Sequence, residues 1–193
     1  MKTLNERLDL IRPKILAPDF RGGRGLGNEI NFWIFDYAPG DEMAIRSHIE
    51  HLRTSINAER EDTRIVVYDL YEIMLSHLEK KGYLDKVLQM EKAKGGDSII
   101  SPIKKTLRLT LADDVVVSTI AENVDSEKDI IFICGVGKAW PFIRSHTVLN
   151  NLHSRIEGIP VVMFFPGEYT SELRLFGEIK DDNYYRAFRL IER

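Results

Sequence analysis

Four stretches of the chain are apolar at every position rather than at every second one: Phe32-Trp33-Ile34-Phe35, Ile65-Val66-Val67-Tyr68, Ile130-Ile131-Phe132-Ile133-Cys134 and Val161-Val162-Met163-Phe164-Phe165. A strand with one face in water alternates apolar and polar side chains. A strand apolar throughout needs cover on both faces. Between these runs lie segments with helical spacing. Strands separated by helices predict an α/β fold with a mostly parallel central sheet of about five strands, flanked by helices. The 193 residues are 44% apolar, which supplies the core of one domain over 1–193.

The remaining elements follow from spacing and breakers. Leu4, Leu8, Ile11 and Ile15 form one stripe over 1–16, a helix blunted by Pro13 and Pro18. With the glycine-rich loop around 19–28 it makes an N-terminal unit over 1–30. A strand spans Asn31–Tyr37, and Ala38-Pro39-Gly40 breaks it. Asp41 suits an N-cap for a helix to about Asn57 that turns Met43, Ile45, Ile49, Leu52 and Ile56 inward. Strand Arg64–Asp69 leads into helix Leu70–Lys81, which Gly82 ends. A helical insertion occupies 80–128: an amphipathic helix over 83–94, then one or two helices over 98–124, where Val115-Val116-Val117 leaves the assignment open. Strand Asp129–Cys134 follows. Pro141 suits the first turn of a helix to about Leu152. Strand Ile159–Phe165 ends at Pro166-Gly167, and Tyr184–Ile191 reads as a fifth strand.

Charge and cysteine content narrow the function. The net charge is −3, without the basic excess of a nonspecific polyanion binder. The one cysteine, Cys134, closes no intramolecular disulfide and no cysteine-based zinc site. No apolar run approaches the ~18–20 residues of a membrane span, and the first residues lack a signal-peptide core. The expectation is a soluble, cytoplasmic protein.

In parallel α/β sheets, ligands bind beyond the carboxyl ends of the strands. Asp36-Tyr37, Asp69, Gly135–Lys138 and Pro166–Tyr169 all fall there. Gly135-Val136-Gly137-Lys138 has the order strand, glycine, lysine, helix. It lacks the spacing of a phosphate loop, and Ala139 stands where a magnesium-binding hydroxyl belongs. Gly135, Gly137 and Lys138 are therefore cofactor candidates only as a degenerate loop, and no cofactor is expected. The glycines at 22–27 precede a strand, the reverse of a dinucleotide fingerprint. Arg21 and Arg24 in that loop, with Lys104, Lys105 and Arg108 at helical spacing, are the nucleic-acid candidates, set against solvated surface. His48 and His51 read as a surface pair rather than a metal site. Ser145 and His146 are adjacent and do not face each other on a helix, so they make no nucleophile–base pair. Glu168 has no paired carboxylate. No catalytic set is complete.

Several blocks, in order, carry a resemblance: Gly25-Leu26-Gly27-Asn28-Glu29-Ile30, Phe32 through Pro39, Ile143-Arg144-Ser145-His146, Leu149-Asn150-Asn151-Leu152, Pro160 through Tyr169, and Tyr184 through Phe188. Together they resemble the BrxB family, a small component of BREX bacteriophage-exclusion systems, over about residues 20–190. The resemblance implies antiviral defence alongside an ATPase, a DNA adenine methyltransferase and an alkaline-phosphatase-like PglZ protein. It implies a non-enzymatic adaptor that binds another BREX subunit, PglZ first, and it carries no catalytic residues. Asp36, Tyr37, Arg144, His146, Glu168, Tyr169, Leu173 and Phe176 are the partner-binding candidates, the last two on an apolar edge after the Pro166 turn. A nucleotide-responsive domain and a DNA-contacting module stand as alternatives.

Overall fold

The computed structural model describes residues 2–22, 31–109, 111–170, 172–180 and 187–193. Three short helices open the chain: α1 (Leu4–Asp9), α2 (Ile11–Ile15) and α3 (Pro18–Arg21). Thr3 and Glu6 form a reciprocal capping box that starts α1. The single helix expected over 1–16 is thus divided, and Pro18 starts a new helix at its first turn. Strand β1 (Phe32–Tyr37) leads through a 3₁₀ turn (Pro39–Asp41) into α4 (Glu42–Glu59). Asp41 belongs to that turn and makes no side-chain cap. Met43, expected inside, is 70% exposed; Ile45, Ile49, Leu52 and Ile56 carry the buried stripe.

Strand β2 (Arg64–Asp69) passes directly into α5 (Leu70–Lys80), whose first amides are capped by the Asp69 carboxylate. The insertion folds as α6 (Leu84–Lys94), α7 (Asp97–Leu107) and α8 (Val115–Ala121). Arg108, with φ +56°, stops α7. Asp114 caps α8 by accepting from the Val116 and Val117 amides at 2.8 and 3.1 Å. That cap holds three consecutive valines in a helix against their strand preference. Strand β3 (Asp129–Cys134) is followed by the short α9 (Val136–Ala139) and by α10 (Ser145–His153). The helix expected from Pro141 starts four residues later, at Ser145, because the Phe142 and Ile143 amides turn back to the Ala139 carbonyl at 2.9 and 3.0 Å instead of opening a helix.

Strand β4 (Val161–Tyr169) runs through Pro166-Gly167 instead of ending there, and pairs beyond the sheet with β5 (Leu173–Leu175). Gly167 allows this: a Cβ there would stand 2.0 Å from the Arg174 carbonyl oxygen. Strands β6 (Ile179–Lys180) and β7 (Phe188–Arg189) complete the order. The fifth strand expected over Tyr184–Ile191 is two residues long, with Tyr184 and Tyr185 outside the described residues.

The parallel body has the order β2-β3-β4-β1-β7, and β4, β5 and β6 form an antiparallel arm. Strand pleating sends alternate side chains to opposite faces. Ile131, Ile133, Val161, Met163 and Phe165 pack under the helices of the insertion, α5 and α10. Ile130, Phe132, Val162, Phe164, Trp33 and Phe35 pack under α1, α2 and α4. This two-sided cover is why the strands carry no polar alternation.

Candidate functional site

The carboxyl ends of β1, β2, β3 and β4 share one edge because these strands are parallel. The helices leave that edge in opposite directions: α4 from β1 to one face, α5 and α9 from β2 and β3 to the other. The groups gathered there are largely satisfied by one another.

Asp36, the one charged residue in an otherwise apolar and aromatic strand, has no exposed surface. Its carboxylate accepts from Arg7 Nη2 at 2.9 Å, from Arg193 Nε at 3.0 Å, from the Tyr169 amide at 3.2 Å and from Arg189 Nη2 at 3.4 Å. The arginines continue outward. Arg193 donates to the Gly167 carbonyl at 2.7 Å, Arg189 to the Tyr169 carbonyl, and Arg7 to that of Ile191 at 3.4 Å. The Arg7 guanidinium also lies 4.5 Å above the Phe35 ring. Burial pulls the Arg7 pKa down, opposed by the Asp36 charge. This knot ties the N-terminal helix, β1, β4 and the last residues together. The arginines were not singled out by sequence; the available signal was a carboxylate inside a buried run, which demands partners.

Next to it at the end of β1, Tyr37 is buried and donates its hydroxyl to Glu42, which also accepts from Arg46 at 2.8 Å. Burial, then Glu42, drives the Tyr37 pKa upward. Lys138 meets Asp69 at 2.6 Å and lies 5.4 Å above the Tyr71 ring. The lysine of the phosphate-loop-like turn is therefore engaged by a carboxylate. Gly135 has φ +72°, and a Cβ there would come within 2.1 Å of Asp69 Oδ1. The glycines serve this close approach, with Gly137 making room for the Phe176 ring. Burial and the Asp69 charge push the Cys134 thiol up to about 12.

The partner-binding candidates divide accordingly. Asp36, Tyr37, Tyr169 and Leu173 lie inside and hold the surface rather than form it. The Tyr169 hydroxyl donates to the Ala187 carbonyl at 2.6 Å. Glu168 and Arg144 are exposed, Glu168 lying 3.8 Å from Arg193. His146 is half-buried, its Nε2 3.1 Å from the Thr147 hydroxyl. Phe176 is 39% exposed at φ +55°, its amide donating to the Pro166 carbonyl at 2.8 Å. Trp140, 39% exposed, follows α9 and was missed by sequence because an isolated tryptophan carries no periodic signal. Phe176 and Trp140 form an aromatic ledge on the α9 side of this edge, with Arg144 beside Trp140 on the wall of a small pocket.

Of the nucleic-acid candidates, Arg21 donates to the Lys128 and Asp129 carbonyls, and Arg24 lies outside the described residues. Lys104, Lys105 and Arg108 line a separate cleft on the insertion. Among the described residues no group of three or more His, Cys, Asp or Glu side chains is placed to hold a metal ion, and no helix is long and apolar enough to cross a membrane.

A family model described as BREX protein BrxB matches residues 66–190. A BREX protein BrxB of Bacillus cereus (strain H3081.97) is 53% identical over 194 residues, spanning all of both chains. A BREX protein BrxB of Escherichia coli O9:H4 (strain HS) is 32% identical over 190 residues, 97% of this chain and 92% of the relative. No solved structure gives a significant match.

Proposed function

The chain belongs to the BrxB family of BREX phage-exclusion systems, and from that premise we propose that it acts as a docking subunit, binding another BREX subunit rather than transforming a substrate. One observation carries the reading. At the edge where an α/β enzyme keeps open chemistry, the carboxylates Asp36, Glu42 and Asp69 are each engaged by a cation, while two aromatic side chains, Trp140 and Phe176, stand partly in solvent. Exposed aromatics beside an arginine are the residue types that dominate protein interfaces. The PglZ-like protein of the same locus is the partner we assign.

Co-expression with that protein, followed by size-exclusion chromatography with light scattering, tests this. The expected result is one species of summed mass that dissociates when Trp140→Ala and Phe176→Ser are combined. Separate elution of two folded proteins refutes the choice of partner. A complex indifferent to the paired substitution refutes the ledge.

A further inference from the structure

A second surface meets the aromatic ledge at Arg144, which lines both. A cleft of about 600 Å³ opens between the end of α7, the residues Arg108, Leu109 and Leu111, and the start of α10. Its volume falls within the ~300–1,000 Å³ of small-ligand and side-chain sites. Apolar side chains line it, among them Leu109, Leu111 and Phe142, together with the cations Lys104, Lys105, Arg108 and Arg144. Arg108 is neutralised by Asp113 at 2.6 Å. Lys104, Lys105 and Arg144 make no ion pair among the described residues.

The wall is fixed. Asn151 of α10 donates to the Leu109 carbonyl at 2.7 Å and to Asp114 Oδ2 at 2.9 Å. Arg155 donates to the Ala112 carbonyl at 3.0 Å. The turn so anchored holds Leu111 with half its surface in water, 51% exposed. Because the flanking backbone is already held, covering Leu111 orders little further backbone, which leaves more of its burial energy for binding.

We propose that this cleft is a binding site for an acidic peptide segment of another protein, one that inserts a bulky apolar side chain between Leu111 and Phe142 and sets carboxylates against Lys104, Lys105 and Arg144. Charge complementarity selects an anionic occupant. The apolar lining selects one with a hydrophobic anchor, which a sugar-phosphate backbone lacks. The site draws Arg144 and the Lys104–Arg108 cluster, far apart in the chain, into one feature.

The test uses the full chain and an array of peptides of about twelve residues. Each carries several Asp or Glu around one Leu or Phe. Matched peptides have the apolar residue changed to Ser or the charges reversed. Positive peptides are titrated by fluorescence anisotropy beside a single-stranded oligodeoxynucleotide. The expected result is retention of the acidic–apolar peptides only, at least tenfold weaker for Arg144→Glu, Lys104→Glu and Leu111→Ser. Leu111 is exposed, so Leu111→Ser folds whatever the charge reversals do. Retention of no acidic–apolar peptide overturns the inference, as does binding that survives all three substitutions. An oligonucleotide that binds through Lys104 and Arg144 while the peptides do not overturns it too, and assigns the cleft to nucleic acid. No other BREX subunit is present in this measurement, so its failure leaves docking at the aromatic ledge untouched.

Discussion

Replacing Asp36 by Asn removes one charge and almost no volume, yet it should be among the most damaging single changes in the molecule. Asp36 has no exposure and Arg7 only 6% of its side chain. Without the carboxylate, the Arg7 guanidinium keeps a long hydrogen bond to Ile191 and the Phe35 ring, while its Nε already has no partner. Removing one member of a buried ion pair costs about 3–5 kcal/mol, because the other charge stays desolvated. Arg189 and Arg193 retain 21% and 35% of their side-chain exposure, so water screens them and they add little. With a urea m-value of about 2–3 kcal/mol/M, the midpoint should fall by roughly 1–2.5 M at unchanged slope. Adding Arg7→Met should recover part of this loss, since the stranded charge is then gone; the double cycle should show coupling above about 1 kcal/mol. A midpoint shift worth less than about 1 kcal/mol, or strict additivity, would refute the reasoning.

Three further outcomes are expected. Gly135→Ala combines a left-handed backbone, which costs roughly 1–2 kcal/mol for a side-chain-bearing residue, with a clash against Asp69. Thermal melting should therefore fall well below that of Gly137→Ala, where the nearest atoms belong to the movable Phe176 ring; equal melting points would count against this. His48 has its pKa lowered by burial and by His51, and its Nε2 is buried without a hydrogen-bond partner. The unfolded chain then binds the extra proton first, so stability declines as pH falls below about 6.5 and levels off below the folded value. His48→Gln should flatten the dependence of melting temperature between pH 7.5 and 5.5; an unchanged slope rejects His48 as the source. The Cys134 thiol, pushed up to about 12, should react with a chromogenic disulfide far more slowly in native protein than in urea at pH 8. Comparable rates would place the thiol in solvent.

The sheet was legible because its strands are buried on both faces, and such burial leaves an unmistakable composition. The boundaries that moved did so where a local choice was settled by a distant contact. Strand β4 passes Pro166-Gly167 because the Arg174 backbone crosses there. Val115–Val117 are helical because Asp114, itself held by Asn151, caps them. At the candidate site the sheet edge was foreseen and the division of labour on it was not. Asp36 and Tyr169 look like surface chemistry in the sequence. Their partners, Arg7, Arg189 and Ala187, lie far away in the chain, and no short-range pattern announces them. Leu111 and Trp140 escaped notice for the complementary reason, since exposure of a lone apolar residue depends on what fails to cover it.

The strand order β2-β3-β4-β1-β7 has a consequence for synthesis. Strand β1 is made first, but its sheet neighbours are β4 and β7, near the far end of the chain. At ribosomal speed, Phe32–Tyr37 wait on the order of ten seconds for Val161–Tyr169 to emerge. During that interval α1, α2 and α4 can shelter Trp33 and Phe35, while the edges of β1 stay open. The nascent chain thus carries an unpaired aromatic strand for the whole of that interval, and a chaperone that recognises extended apolar segments has its best target there.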